Sequence, residues 1–200
     1  PQVMELFPEA PGLPQDAASY LSVVEENYRE DAYNSLSIEG YEVSPALIDR
    51  VRSGLWDPSE ESTDVQQKDA LAAKGYRLAF EATQLSLTRV LQGQNPGLVV
   101  KQDLPHWYQM LFSPSVQAGL LKDYHLAGYR SNQVYIQNSR HIPFPQMALL
   151  DSMDMFFELL EKEENSASRA ILGHFFFVHI HPYSDGNGRI GRFLMNVMMA

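Results

Sequence analysis

The sequence predicts an all-α fold with one small β-hairpin. Apolar residues recur at three- and four-residue steps through residues 16–40, as they do on the buried face of an amphipathic helix. A nearly continuous apolar run at residues 170–180 predicts a helix that is buried on every side at the centre of the domain. Strand-prone residues surround a polar turn at residues 128–140, which predicts the hairpin.

Capping residues indicate where the first three helices begin and end. Gly40 favours the end of the first helix, because glycine adopts the left-handed conformation that follows many helices. Ser44 followed by Pro45 predicts the N-terminus of a short second helix. A capping box formed by Thr63 and Gln66 predicts a long third helix that extends to about residue 91.

Prolines punctuate the remaining sequence. They predict separate helical pieces at residues 104–112 and 115–122, and a helix that follows Pro145 and reaches residue 160. Four prolines within residues 1–15 predict an extended arm.

The length of 200 residues fits one domain, which we assign to residues 16–200. An N-terminal helix at about 16–40 would precede a core at about 63–200. The chain begins with proline and stops inside a helical pattern, so we expect a longer protein that continues beyond residue 200.

The composition excludes several classes of function. The formal net charge is -10, which disfavours general binding to nucleic acid or to anionic membranes. The sequence has no cysteine, so disulfides, thiolate nucleophiles and cysteine-ligated zinc are excluded. No signal peptide or membrane-spanning run is recognisable. These observations predict an intracellular, cytoplasmic protein.

The string HPYSDGNGRIGR at residues 181–192 concentrates the chemically active residues. Pro182 disfavours helical geometry at His181, so the apolar helix should end there and leave the imidazole at the edge of a loop. The helix dipole would raise the pKa of His181 and burial would lower it, but either way it can exchange a proton near neutral pH. Asp185 follows as a carboxylate that could hold Mg²⁺ beside phosphates.

The second half of the string has the features of an anion site. Gly186 and Gly188 allow close approach of the backbone, and free amides at the start of the next helix bind anions. Arg189 and Arg192 are three residues apart and therefore share one helical face, where they could grip neighbouring phosphates. A purely structural interpretation, a polar turn between two buried helices, would account for the glycines but not for the histidine, the carboxylate and both arginines together.

This string resembles the signature of the Fic family, His-Pro-Phe-x-Asp/Glu-Gly-Asn-Gly-Arg-x-x-Arg, with Tyr183 in place of phenylalanine. The resemblance implies a Fic-like helical bundle that transfers AMP from ATP to a hydroxyl side chain of a protein. It implies that His181 is the general base and that Asp185 holds Mg²⁺. The hydroxyl of Tyr183 would need a hydrogen-bond partner. The implied catalytic residues are His181, Asn187 and Arg189, and the implied nucleotide-binding residues are Gly186, Asn187, Gly188, Arg189 and Arg192.

A second string, SLSIEG at residues 35–40, resembles the inhibitory motif of the same family, Ser/Thr-x-x-x-Glu-Gly/Asn. The matching positions are Ser35, Glu39 and Gly40. Glu39 continues the buried stripe of the first helix, where a carboxylate needs a cation. The resemblance implies that this cation is Arg192 and that the pair blocks the γ-phosphate position. Alternatively, Glu39 is a helix-end residue that points into solvent.

The predicted hairpin at residues 128–140 resembles the flap of the family, which pairs its main chain with a target segment. Val134, Tyr135 and Ile136 would then be docking positions. The alternative is a surface hairpin that only covers the core.

Three hypotheses therefore compete. In the first, the chain is a protein adenylyltransferase that uses ATP and Mg²⁺, acts on a Ser, Thr or Tyr hydroxyl of a protein target, which could be the chain itself, and is inhibited by Glu39. In the second, the same site removes AMP by hydrolysis. In the third, the chain is a non-catalytic nucleotide-sensing or toxin-like module. Nucleic acid and membranes are not expected partners in any of the three.

Overall fold

A computed structural model describes residues 16–57, 64–137 and 139–200 of the chain. Within these ranges the structure is all-helical. The helices are α1 (Ala17–Ile38), α2 (Pro45–Arg52), α3 (Asp64–Leu91), α4 (Pro96–Gln117), α5 (Leu149–Lys162), α6 (Ser166–Ile180) and α7 (Asn187–Met199), and short 3-10 turns lie at Asp123–Leu126 and Gln146–Ala148. The predicted arm at residues 1–15 and the predicted cap at Thr63 lie outside the described residues.

The caps of α1 and α2 agree with the sequence. α1 ends at Ile38, and Gly40 follows with a φ of 84°. The Ser44 side chain accepts a hydrogen bond from the backbone N–H of Leu47 at 3.1 Å, with Pro45 in the first position of α2. These local signals are reliable because each cap satisfies backbone groups that the helix itself leaves open.

The centre of the domain is α7, not α6 as the sequence predicted. α7 packs against α1, α3, α4 and α6, and Phe193 and Leu194 are 1% and 0% exposed. α6 packs mainly against α5 and α7. The opposite face of α6 is open, since Phe175 is 50% exposed and Phe176 is 38% exposed. An apolar run thus indicated a helix correctly but overstated how many sides of it are covered.

α4 is one continuous helix, where the sequence predicted separate helical pieces at residues 104–112 and 115–122. Asn95 caps it, Pro96 occupies its first turn, and Pro105 and Pro114 lie inside it. A proline inside a helix leaves the carbonyl four residues earlier without its usual donor. At Pro114 that carbonyl belongs to Met110, and the hydroxyl of Ser113 donates to it at 3.1 Å. This side-chain replacement helps the helix to continue through Pro114.

The predicted hairpin at residues 128–140 is wrong, because no strand is present in the described ranges. Side-chain hydrogen bonds hold this segment in place, instead of the backbone hydrogen bonds between two strands that a hairpin would have. Gln133 donates to the carbonyls of Val134 and Pro143, at 3.2 and 2.9 Å, and Arg130 donates to Asn132 and Phe144. The residues are strand-prone, but their backbone groups do not pair with one another as two strands.

None of the helices that the structure describes combines the length and the apolar character needed to cross a membrane.

Candidate active site

The turn between α6 and α7 forms the floor of a cavity of about 920 Å³. α1 contributes the opposite wall through its C-terminal end, and the segment after Asn132 covers one side. The cavity is lined among others by Glu39, Ile136, His181, Asp185, Gly188 and Arg192. The two sequence strings singled out above therefore meet in one space, although they are more than 140 residues apart in the chain.

His181 occupies a strained position at the end of α6. Its φ and ψ are 53° and 60°, which is the left-handed region, and it is the one non-glycine residue with a positive φ in the described part of the chain. Its Nδ1 lies 3.2 Å from the carbonyl oxygen of Val178. A carbonyl only accepts, so Nδ1 carries the proton and Nε2 keeps a free lone pair.

Burial lowers the pKa of His181, and the nearby charge of Arg130 lowers it further. A hydrogen bond to Val178 and the charge of Asp185 oppose this shift but do not outweigh it. Burial, one of the two effects considered from the sequence, is therefore the largest influence on this pKa. The imidazole is neutral at neutral pH and able to accept a proton.

Gly186 begins α7 in a left-handed conformation, with a φ of 77°, that a side chain would strain. Asn187 braces the turn before it. The Asn187 Oδ1 accepts from the backbone N–H of Tyr183 at 2.9 Å, and its Nδ2 donates to the carbonyl of Tyr183 at 2.8 Å. The side chain of Asn187 is thus engaged inside the turn, and Asn187 is the first residue of α7, where a backbone amide has no partner within the helix.

Arg192 is held by α1. Its Nε donates to the hydroxyl of Ser35 at 2.7 Å, and its Nη2 donates to Glu39 Oε1 at 2.8 Å. The expected pair between Glu39 and Arg192 is present, and Ser35, the first residue of the same string, fixes the arginine.

Arg189 is more deeply buried than Arg192 and also contacts Glu39. The sequence did not indicate this second contact. Its side chain is 1% exposed, and its Nε lies 2.6 Å from Glu39 Oε2. This contact is an ion pair, because the N–H is not aligned for a directed hydrogen bond. The guanidinium also lies over the rings of Tyr41 and Phe112, at 5.2 and 5.1 Å. Burial alone would lower the pKa of Arg189, but the carboxylate of Glu39 and the hydroxyl of Tyr41 raise it.

Glu39 thus bridges both arginines above the first turn of α7. A Cβ built on Gly188 would lie 2.8 Å from Glu39 Oε1. The carboxylate therefore sits in a space that is open only because residue 188 has no side chain. Its two oxygens stand where a tetrahedral anion could contact the same arginines and the same backbone.

A model of the Fic/DOC family matches residues 100–199, which is half of the chain. The chain belongs to the Fic/DOC family. Over 75 residues it is 40% identical to the protein adenylyltransferase Fic of Drosophila virilis, a match that covers 36% of this chain and 15% of that protein. The chain therefore spans a small part of the curated relative's length.

Two solved structures share the Fic fold. One is a Fic family protein from Desulfovibrio desulfuricans, with a TM-score of 0.66 and 20% identity, covering 89% of this chain and 49% of that one. The other is Fic-1 from C. elegans, with a TM-score of 0.65 and 19% identity, covering 99% of this chain and 55% of that one. At these identities the likeness concerns the fold.

Asp185 is exposed within the Fic string, with 63% of its side chain accessible. One oxygen accepts from the N–H of Gly186 at 2.6 Å, and the other lies 3.3 Å from Arg189. The described residues contain no group of three or more potential metal ligands. A lone rim carboxylate fits a cation such as Mg²⁺, which takes most of its ligands from phosphates and water.

The three residues predicted as docking positions lie beside the cavity of this Fic domain. Tyr135 and Ile136 line it, Tyr135 is 76% exposed, and Val134 is partly buried. Sequence reasoning missed Arg130, Tyr41 and Phe112, which belong to neither string. No local pattern marks them, because their contacts with residues 181–192 exist only in the folded chain.

Tyr183, the one departure from the Fic signature, is 2% exposed and stacks on Tyr108 with ring centroids 3.7 Å apart. The sequence led us to expect a hydrogen-bond partner for its hydroxyl. Among the residues that the structure describes, this oxygen has none. The ring of Tyr183 packs as the usual phenylalanine would. Its hydroxyl is buried without a hydrogen bond from any described residue to offset the loss of water.

Proposed function

We propose that this chain is a protein adenylyltransferase domain that transfers AMP from ATP to a hydroxyl side chain of a target protein, and that Glu39 inhibits it. The observation that carries the proposal is the position of Glu39, whose carboxylate lies between Arg189 and Arg192 and against Gly188. Two cations that share one carboxylate, beside an open backbone, make a phosphate site, and the protein's own anion fills it.

The reaction follows from the surrounding groups. His181 Nε2 would take the proton of the target hydroxyl while that oxygen attacks the α-phosphorus. The bond between the α-phosphorus and the bridging oxygen then breaks, and pyrophosphate leaves. Arg189 and Arg192 would balance the charge of the β- and γ-phosphates, and the amides of Gly186, Asn187 and Gly188 would line the site for the α- and β-phosphates.

Asp185 would hold Mg²⁺, which when bound would neutralise phosphate charge. This assignment rests on its exposed carboxylate at the rim of the cavity. Its present contact with Arg189 is 3.3 Å long and partly exposed, so the carboxylate can exchange it for a cation at small cost.

The inhibition is competition for two arginines. While Glu39 pairs with Arg192 and Arg189, the triphosphate would have to displace a carboxylate that is only 20% exposed. Removing Glu39 leaves Arg192 without an anionic partner and the buried Arg189 with only its longer contact to Asp185, and so favours the entry of phosphate. We therefore expect the Glu39→Gly variant to be the active form.

The test is transfer of label from α-³²P-ATP, with Mg²⁺, to protein. Labelling should rise at least about tenfold in Glu39→Gly, equivalent to about 1.4 kcal/mol, and should be absent when His181→Ala is added. Glu42→Gly, which removes a neighbouring exposed carboxylate, is the matched control. Equal labelling in all four proteins would contradict the proposal. Mass spectrometry of the Glu39→Gly protein would show whether the chain modifies itself.

Removal of AMP from a modified target by hydrolysis is a second candidate, because Glu39 and His181 line the same cavity and could together activate water. A target that already carries AMP separates the two reactions. Release of AMP by the wild type, with loss of release in Glu39→Gly, would favour the hydrolase. Binding of ATP without turnover in Glu39→Gly would favour a non-catalytic module.

A further inference from the structure

The strain at His181 requires a restraint from outside the turn. A left-handed backbone costs a residue with a Cβ about 1–2 kcal/mol. Pro182 follows directly and further restricts the backbone of His181. Such geometry persists when neighbouring groups hold it, and it is concentrated at functional sites.

Arg130 supplies that restraint. Its Nε donates to the carbonyl oxygen of His181 at 2.8 Å, and its backbone N–H donates to the carbonyl oxygen of Pro182 at 2.9 Å. Both carbonyls of the strained dipeptide are therefore fixed by one residue. Arg130 is 4% exposed, and no carboxylate in the described ranges forms an ion pair with it.

The same guanidinium also ties down the segment that covers the cavity. Its Nη1 donates to the carbonyl of Asn132 at 2.8 Å, and its Nη2 donates to the carbonyl of Phe144 at 2.5 Å. These two carbonyls bracket Val134, Tyr135 and Ile136. Three carbonyls from three parts of the chain thus converge on one buried guanidinium, and a fourth, that of Pro182, accepts from the backbone N–H of the same residue.

We propose that Arg130 is a positioning residue that sets the place of the His181 imidazole relative to the segment 132–144. The inference rests on the proposed function, in which that segment would present the target hydroxyl and His181 would take its proton. A shift of about 1 Å between two reacting groups can cost about 100-fold in rate. Fixing both groups to the same guanidinium keeps their separation constant.

An arginine is needed for this geometry. Its planar guanidinium presents several N–H donors in fixed and divergent directions, whereas a lysine ammonium is a compact group on a flexible stem. A lysine at position 130 would keep the charge but could not donate to the carbonyls of Asn132, Phe144 and His181 at once. Arg130→Lys therefore separates the effect of the charge from the effect of position.

The experiment uses the Glu39→Gly protein as the parent. We expect Arg130→Lys to remain folded, to lower kcat for labelling by about 100-fold and to change KM for ATP by less than about twofold. Arg130→Ala should recover part of its labelling when millimolar guanidinium is added. Arg29→Lys, an exposed arginine of α1 that does not line the cavity, is the matched control and should leave both constants unchanged.

A folded Arg130→Lys protein with unchanged kcat would overturn the inference. So would the unfolding of that variant, or an equal loss of kcat and of ATP affinity, because either result indicates a purely architectural role. An NMR titration of the histidines gives a readout that does not need activity, with the His181 signal assigned from His181→Ala. The pKa of His181 should rise in Arg130→Ala, since Arg130 lowers it. If the parent labels nothing, the proposed function fails, and an unmoved His181 titration would separately sink the role of Arg130.

Discussion

Glu39 and Gly188 contact each other across the junction between α1 and α7. A Cβ on residue 188 would lie 2.8 Å from Glu39 Oε1 and 3.3 Å from Arg192 Nη1. The missing side chain therefore lets an anion reach the first turn of α7, whether that anion is the carboxylate or the proposed phosphate. A single position would thus serve both the inhibited and the active form of the proposed enzyme.

Gly188→Ala, made in the Glu39→Gly protein, should weaken ATP binding by about tenfold, or about 1.4 kcal/mol. The added methyl group fills the space that the phosphates would use. Calorimetry with a non-hydrolysable ATP analogue measures the affinity. The melting temperature should not fall, because alanine is the better helix former. Unchanged affinity would show that the anion binds elsewhere.

Ser35→Ala should weaken the inhibition without abolishing it. Ser35 is 1% exposed, and its hydroxyl accepts from Arg192 Nε at 2.7 Å. Its loss should cost about 1 kcal/mol of folding stability and raise basal labelling less than Glu39→Gly does. Thermal unfolding and labelling are measured together, with exposed Ser37→Ala as the control. Labelling equal to that of wild type would mean that Ser35 does not hold the arginine in place.

Tyr183→Phe should stabilise the protein. The Tyr183 hydroxyl is buried and has no partner among the described residues, so its removal relieves a desolvation cost of about 1 kcal/mol. For a domain of this size the melting temperature should rise by about 2–4 °C. Tyr124→Phe removes a hydroxyl from a residue that is 71% exposed and should have no effect. A lower melting temperature for Tyr183→Phe would reveal a partner for the hydroxyl.

The rate of labelling should depend on pH through His181. Its pKa is lowered, first by burial and then by Arg130, so the active neutral form persists below the usual histidine pKa of about 6.5. The acid limb of kcat for Glu39→Gly should therefore have its midpoint below that value. The free energy of unfolding depends on pH in the same direction. The unfolded chain binds the His181 proton more readily than the folded chain does, so stability is lost as the pH falls through the folded pKa. An acid limb above about 6.5 would contradict the assignment of His181 as base.

Asp185→Asn should make labelling by the Glu39→Gly protein insensitive to Mg²⁺ and lower it by about 100-fold, or about 2.7 kcal/mol. The amide keeps the size of the side chain but is a weaker ligand for a hard cation. A titration of Mg²⁺ against labelling rate measures the effect, and exposed Asp151→Asn is the control. A normal Mg²⁺ dependence in Asp185→Asn would place the metal on other groups.

Features that depend on neighbouring residues were predictable from the sequence. The cap at Ser44, the turn at Gly40 and the end of α6 before His181 each follow from local backbone chemistry. The pairing of Glu39 with Arg192 was also predictable, but only because two strings resemble motifs of one family. Glu39 is placed by the end of α1, and Arg192 by the first two turns of α7.

Features that depend on tertiary contacts were not predictable in the same way. The hairpin failed because side-chain bonds from Arg130 and Gln133 replace the expected strand pairing. The continuity of α4 depends in part on one hydroxyl, that of Ser113, at the carbonyl that Pro114 leaves open. Glu39 also forms an ion pair with Arg189, which is buried in the folded chain. The spacing between Arg189 and Arg192 in the sequence does not reveal that burial.

The distance in sequence between Glu39 and Arg192 has a consequence for biosynthesis. The two residues are 153 positions apart, and the glutamate leaves the ribosome first. The proposed phosphate site, with Arg189 and Arg192, is assembled only when α7 folds, and α1 has by then already been synthesised. Under the proposed function, a newly made molecule would therefore fold directly into the inhibited form.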